Sequence, residues 1–123
     1  MNKPAKNLSQ VEREAIVDLL HLCMYADAHL SIRESNFISD AVESIGWDSK
    51  LSFSGYEPRS IAVVRNARSD EAATKKFIES AGARLKSRES KQLAFSLCTD
   101  LAASDGTDPK ESKLLQLIRS TIL

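Results

Sequence analysis

Tyr25-Ala26-Asp27-Ala28-His29-Leu30-Ser31-Ile32-Arg33-Glu34-Ser35-Asn36-Phe37-Ile38 is echoed further along the chain by Ala103-Ser104-Asp105-Gly106-Thr107-Asp108-Pro109-Lys110-Glu111-Ser112-Lys113-Leu114-Leu115. Each copy leaves an apolar helical run through a small residue and an aspartate, crosses a short turn, and reaches Glu-Ser ahead of apolar residues that open a new helix. The agreement continues past the turn: Ala41 and Ile45 stand seven and eleven residues beyond Glu34, as Ile118 and Ile122 do beyond Glu111. One helix-turn-helix unit is used twice. Its period of about 78 residues is too long for a solenoid, whose repeats run about 20 to 50 residues. The expectation is two similar hairpins packed into one pseudo-symmetric core.

The flanking sequence supplies the helix ends. Ser9 and Glu12 form an S-x-x-E capping box, each side chain able to satisfy a backbone N–H that the first turn leaves unpaired. Behind it Val11, Ala15, Ile16, Leu19, Leu20, Cys23 and Met24 recur at helical spacing on one stripe, predicting a first helix to about Ala26. Ser31 and Glu34 repeat the box for a second helix that buries Phe37, Ile38, Ala41, Val42 and Ile45. It should stop at Gly46, which takes the left-handed C′ conformation, and Trp47 should fold back on Val42.

From Asp48 to Arg59 the periodicity fails, and Gly55, Pro58 and the serines predict a loop, with room for one turn of helix, pinned by Leu51, Phe53 and Tyr56. Ser60 to Ala67 has no second alternating apolar run to pair with as a strand, so helix is the better reading. Ser69 and Asp70 offer caps for a helix through Phe77, Ile78, Ala81 and Leu85, with Gly82 as a weak point. Ser87 or Arg88 begins another, burying Leu93, Ala94, Leu97, Cys98, Leu101 and Ala102. Asp108-Pro109-Lys110-Glu111 starts the last, because proline at the first helical position needs no hydrogen bond. That helix carries Leu114, Leu115, Ile118 and Ile122. The fold class read from this pattern is all-α, a compact multi-helix bundle with two pseudo-repeated hairpins. It forms a single domain over residues 1–123, of which 1–8 are a disordered or loosely attached N-terminus.

Composition fits that reading. A chain of 123 residues, 42% of them hydrophobic, can bury a core without staples. Lys+Arg and Asp+Glu are both 17, so the basic footprint of a dedicated nucleic-acid binder is missing. No signal-peptide core and no apolar run of about 18 residues occurs, so the expectation is a cytoplasmic protein without membrane insertion. Cys23 and Cys98 lie on apolar helical faces without Cys-x-x-Cys spacing and read as buried free thiols. His21 reads as a surface or boundary residue on the flank of the first helix. Lys75, Lys76, Arg84, Lys86, Arg88 and Lys91 interleave with Glu71, Glu79 and Glu89 as a solvated face, with phosphate or nucleic-acid contact a minor alternative.

The acidic turns carry the functional question. Glu34 and Glu111 stand at the third position of their helices, where a carboxylate favours the positive end of the macrodipole and closes a capping box. Capping explains Asp27 and Asp105 less well, since they follow helix C-termini where the dipole disfavours negative charge. A divalent cation would supply a reason. Asp27 with Glu34, or Asp105, Asp108 and Glu111, brings hard oxygen donors to one turn, as calcium or magnesium requires. His29 would shift the preference toward zinc or manganese. The twelve-residue EF-hand loop is absent, as are G-x-S-x-G, Walker, H-E-x-x-H and dinucleotide motifs, so no catalytic residue and no cofactor beyond such a cation is expected. A small hydrolase using paired carboxylates would need acids from both hairpins facing across a cleft.

The pattern Ala-Asp-(Gly/Ala)-x-apolar-x-x-x-Glu after an apolar helix resembles the tellurite-resistance TerB-like family. Ala26-Asp27-Ala28-His29-Leu30 through Glu34 matches in spacing, with Ala28 where the family usually has glycine; Ser104-Asp105-Gly106 restores the glycine, while its turn to Glu111 is one residue shorter and contains Pro109. The resemblance is dense over about residues 11 to 46 and 88 to 122. It implies an all-helical, non-enzymatic bacterial accessory module associated with stress or tellurite resistance. It carries over Asp27, Glu34, Asp105 and Glu111 as positions for a divalent cation. The expected partners are proteins, or a second copy of the chain through Leu117 or Leu123 on the last helix. The competing expectation is a protein-interaction domain whose acids only cap helices.

Overall fold

In the computed structural model the described residues are 8–25, 32–47, 52–104 and 109–123. Among them the chain forms six helices: α1 (Gln10–Met24), α2 (Ile32–Ile45), α3 (Phe53–Ala67), α4 (Glu71–Arg84), α5 (Arg88–Ser104) and α6 (Pro109–Ile122). The all-α helical bundle expected from the periodicity is what forms.

The Ser9–Glu12 capping box opens α1 with both reciprocal bonds made. From Ala15 to Met24 every residue of α1 is buried, because all five other helices pack around it. A surface helix buries one stripe, whereas this one is the central post of the bundle. Its apolar stripe extends to Val17 and Leu22, while Val11, expected on the stripe, lies a turn too early and is 46% exposed. His21 is likewise not a boundary residue: it is fully buried. Leu8, read as part of a loosely attached start, is in the core.

Helix α2 buries Ile38, Ala41, Val42 and Ile45 as expected and leaves Phe37 half-buried. Gly46 then takes φ +85°, with its N–H on the Val42 carbonyl at 2.9 Å. The Arg13 Nε donates to the carbonyl of Ile45 at 3.1 Å, so the first turn of α1 satisfies a carbonyl that the end of α2 leaves open. The Trp47 ring packs edge-on to Phe53 at 5.4 Å and at 5.2 Å from Tyr56.

Those aromatics belong to the principal departure from the sequence reading. Residues 53–59, expected as loop, form the first two turns of α3, capped by Ser52, whose hydroxyl accepts from the Gly55 N–H at 3.2 Å. Gly55 and Pro58 lie inside this helix, where proline removes a hydrogen bond at a typical cost of about 3 kcal/mol. The offset comes from Trp47, Phe53 and Tyr56 packing together, and from two side chains of this segment that bond into α1.

The remaining helices form where expected, although Leu93 and Leu97 of α5, expected in the core, are only half-buried. Asp70 caps α4 through its bond from Ala73 N at 2.7 Å. Helices α4 and α6 approach closely at Gly82, where a Cβ would lie 2.8 Å from Cγ2 of Ile122. Ser87 and Ser90 exchange bonds at the start of α5, and Pro109 is the first residue of α6. No helix among the described residues is long and apolar enough to cross a membrane.

Candidate functional site

Glu34 and Glu111 are each the third residue of a helix, and each is only 3% exposed. Both have interaction partners. Seventy-seven residues apart in sequence, they act electrostatically on the same group, the thiol of Cys23 near the end of α1. Cys23 is hydrogen-bonded to Cys98 of α5, and both thiols are buried and free. That bond, then burial, then the charges of Cys98, Glu111 and Glu34 push the Cys23 thiol well above its ordinary range. A thiol so placed is inert as a nucleophile, because only the thiolate attacks. The starts of α2 and α6 thus each carry a buried carboxylate whose charge is felt at the Cys23–Cys98 contact between α1 and α5.

Glu12 supplies an internal comparison. It too is the third residue of its helix and 5% exposed, yet protein donors account for its carboxylate. Oε1 accepts from the Ser9 N–H at 3.0 Å, and Oε2 accepts from the Lys86 N–H at 2.9 Å across the α4–α5 connection. Burial alone would raise its pKa, but these amides and the hydroxyls of Ser90 and Ser9 outweigh it and hold the pKa below 4.5. Burial of an acid at this helical position is thus compatible with capping alone.

The other four residues named from the sequence as cation donors, Asp27, His29, Asp105 and Asp108, lie outside the described residues. Among the described residues no group of three or more His, Cys, Asp or Glu side chains has the arrangement to hold a metal ion. Glu34 and Glu111 are two hard donors, fewer than a calcium or magnesium shell demands, and the neighbouring thiols are the wrong chemistry for either ion.

A second polar cluster was not legible as such in the sequence. Asp18 of α1 accepts from the Tyr56 hydroxyl at 2.8 Å and the Ser60 hydroxyl at 2.6 Å on one oxygen, and from Arg84 Nη2 at 2.7 Å on the other. Nδ1 of His21, one turn on, lies 2.8 Å from the same Ser60 oxygen. Because the Ser60 proton is given to Asp18, the imidazole donates at Nδ1, which assigns the tautomer. Nε2 then lies 3.6 Å from Glu57, with no hydrogen-bond partner among the described residues. Burial depresses the His21 pKa, and the opposing charges of Glu57 and Asp18 do not make up the difference. Burial beside Asp18 raises the Tyr56 phenol.

Serine, histidine and aspartate together invite comparison with a catalytic triad, but the order is wrong. In a triad the histidine stands between the acid and the serine and removes the serine proton. Here Ser60 stands between Asp18 and His21, accepts a hydrogen bond from the imidazole and is itself buried. The cluster ties α1 to α3 and α4. The available signal was that Asp18 and His21 are the polar residues in the apolar run 15–24, one helical turn apart. Arg84, grouped by sequence with a solvated basic face, is drawn from that face to Asp18.

The chain matches no protein-family model, no curated protein and no solved structure in comparison with each.

Proposed function

We propose that the protein is a non-enzymatic, TerB-like accessory module that works by binding, with a divalent cation held at its acidic turns. The carrying observation is that Glu34 and Glu111, matching members of the doubled motif, are both buried and both bear electrostatically on the Cys23 thiol. The cation would draw its remaining hard donors from Asp27 and Asp105 on the adjoining turns. Its role is to neutralise buried negative charge and fix the two turns relative to each other. The inverted Ser60–His21 arrangement and the inert thiols support a binding role over a catalytic one, and the resemblance of the motif supports placing it in a bacterial stress or tellurite-resistance response.

Calorimetric titration with calcium, magnesium, manganese and zinc, on the wild type and on Asp27→Asn/Asp105→Asn, tests the proposal. Saturable uptake of at least one cation by the wild type, lost in the double variant, is expected. Equal behaviour of the two proteins defeats it.

A second reading has its own observation. Glu12 is a buried capping acid satisfied by protein donors, and a groove of about 820 Å³ between α4 and α6, floored by Leu22, Leu114 and Leu117, offers a surface for a protein. On this reading the module binds a protein partner, Glu34 and Glu111 only cap, and each loss costs about 1 kcal/mol, as for other caps. Partner capture that survives Asp27→Asn/Asp105→Asn distinguishes it.

A further inference from the structure

The groove between α5 and α6, on the other side of the α6 ridge formed by Gln116 and Ser120, has a different character. Its volume is about 870 Å³, and Arg88 and Lys91 of α5 and Arg119 of α6 line it with no aspartate or glutamate among the described residues of its wall. Among the described residues, none of the three cations takes part in an ion pair or a side-chain hydrogen bond.

Their own helices explain why. On a helix, residues three and four positions away are neighbours. Within α5 those positions hold Lys91 and Gln92 for Arg88, and Arg88, Ala94 and Phe95 for Lys91; within α6 they hold Leu115, Gln116 and Ile122 for Arg119. No acid is among them. Lys75, by contrast, has Glu71 and Glu79 at this spacing, and Lys76 has Glu79. Arg88 and Lys91 moreover stand as a like-charge pair one turn apart, which disfavours the helix. In a chain with 17 bases and 17 acids, these three cations have no acidic side-chain partner at a concavity, although Arg119, in the last turn of α6, faces the negative end of that helix's dipole.

We propose that this groove is a binding site for a polyphosphate chain, free or as part of a nucleotide. Two guanidinium groups from different helices offer planar forks that match phosphate oxygens, and Lys91 adds a point charge. Gln92, Gln116 and Ser120 supply neutral donors for the oxygens that the cations leave. The start of α5, at Arg88, adds the positive end of a helix dipole. The volume lies within the roughly 300 to 1,000 Å³ of small-molecule sites and exceeds what a single phosphate fills. Nucleic acid is disfavoured, because no aromatic side chain among the described residues lines the groove to stack a base, and three cations track only a short backbone. This site is independent of the acidic corner and of any cation there.

The test is amide NMR titration in EDTA with inorganic pyrophosphate, tripolyphosphate, ATP and adenosine, on the wild type, Arg119→Gln, Arg88→Gln/Lys91→Gln and, as control, Lys75→Gln. Tripolyphosphate is expected to shift amides of 88–92 and 116–122 saturably, with affinity lowered about tenfold or more in the two groove variants and unchanged in Lys75→Gln. ATP binding more tightly than tripolyphosphate at the same amides assigns the nucleotide as source, and equal affinity assigns the free chain. Adenosine should not bind. Shifts spread over all basic surfaces, equal responses of Arg119→Gln and wild type, or binding of adenosine without tripolyphosphate, would each overturn the proposal. The variants change exposed or half-exposed side chains, so their melting curves should match the wild type and validate the comparison.

Discussion

Replacing Asp18 with alanine removes the acceptor of three short bonds: 2.6 Å from Ser60, 2.8 Å from Tyr56 and 2.7 Å from Arg84. Counted singly, hydrogen bonds to a charged group contribute about 1.5 to 3 kcal/mol each, which would total about 4.5 to 9 kcal/mol. That sum overstates the loss. The Arg84 side chain is 29% exposed and can partly rehydrate, and Ser60 can turn its proton to His21 if the imidazole changes tautomer. Breaking a buried pair by removing one partner costs about 3 to 5 kcal/mol, and the relaxation open to this cluster places the loss at about 3 to 4 kcal/mol. Against a total stability of about 5 to 15 kcal/mol for a domain, that is a large fraction. The melting temperature should fall by about 9 to 20 °C, from a sensitivity of about 3 to 5 °C per kcal/mol at this chain length. Urea unfolding followed by far-ultraviolet circular dichroism measures it. Arg84→Met and the double variant complete a cycle, in which the double loss should fall short of the summed single losses by about 1 kcal/mol or more. An Asp18→Ala loss under about 1 kcal/mol, or strict additivity, would refute the assignment of this cluster as the tie between α1, α3 and α4.

Glu12 has a folded pKa below its ordinary 4.5, so its stabilisation is complete above pH 4.5 and is lost as pH falls through the folded value; Glu12→Gln should flatten the acid limb of a stability–pH curve. His21 is also depressed, from 6.5: below that pH the unfolded chain binds more protons, so stability falls with a slope of up to about 1.4 kcal/mol per pH unit, and His21→Gln should remove that part of the slope in denaturation series between neutral pH and the Glu12 limb. Gly46→Ala forces a side chain to φ +85° and should lower stability by about 1 to 2 kcal/mol by chemical denaturation. Gly82→Ala should gain about 1 kcal/mol of helix propensity yet lose more, for a net loss near 1 kcal/mol, because its Cβ would meet Ile122 at 2.8 Å.

Helix ends with local chemistry were legible in the sequence. The Ser9–Glu12 box, the Gly46 stop, the Asp70 cap and the Pro109 start each depend on residues within one turn, where sequence and geometry are nearly the same thing. The start of α3 was not. Gly55 and Pro58 break helices on local grounds, and only contacts with Trp47 and α1 reverse that local preference. His21 was misplaced for a related reason: a polar residue in an apolar run reads as a boundary unless its distant partners, Ser60 and Glu57, are known. Glu34 and Glu111 were legible as matching acids by spacing, while their shared neighbour Cys23 emerged from the packing of α1 on α5. The α5–α6 groove joins a basic cluster visible in sequence to Arg119, which the sequence places in no cluster.

Whether the acidic turns meet at one cation-holding corner is decided by paramagnetic broadening with Mn²⁺ in a ¹⁵N-labelled sample. Amide signals of Cys23, Glu34, Cys98 and Glu111 should broaden together at the lowest Mn²⁺ additions, recover with EDTA and remain sharp in Asp27→Asn/Asp105→Asn. Broadening centred instead on unrelated acids such as Asp40 and Glu43, or unaffected by the double substitution, would contradict it.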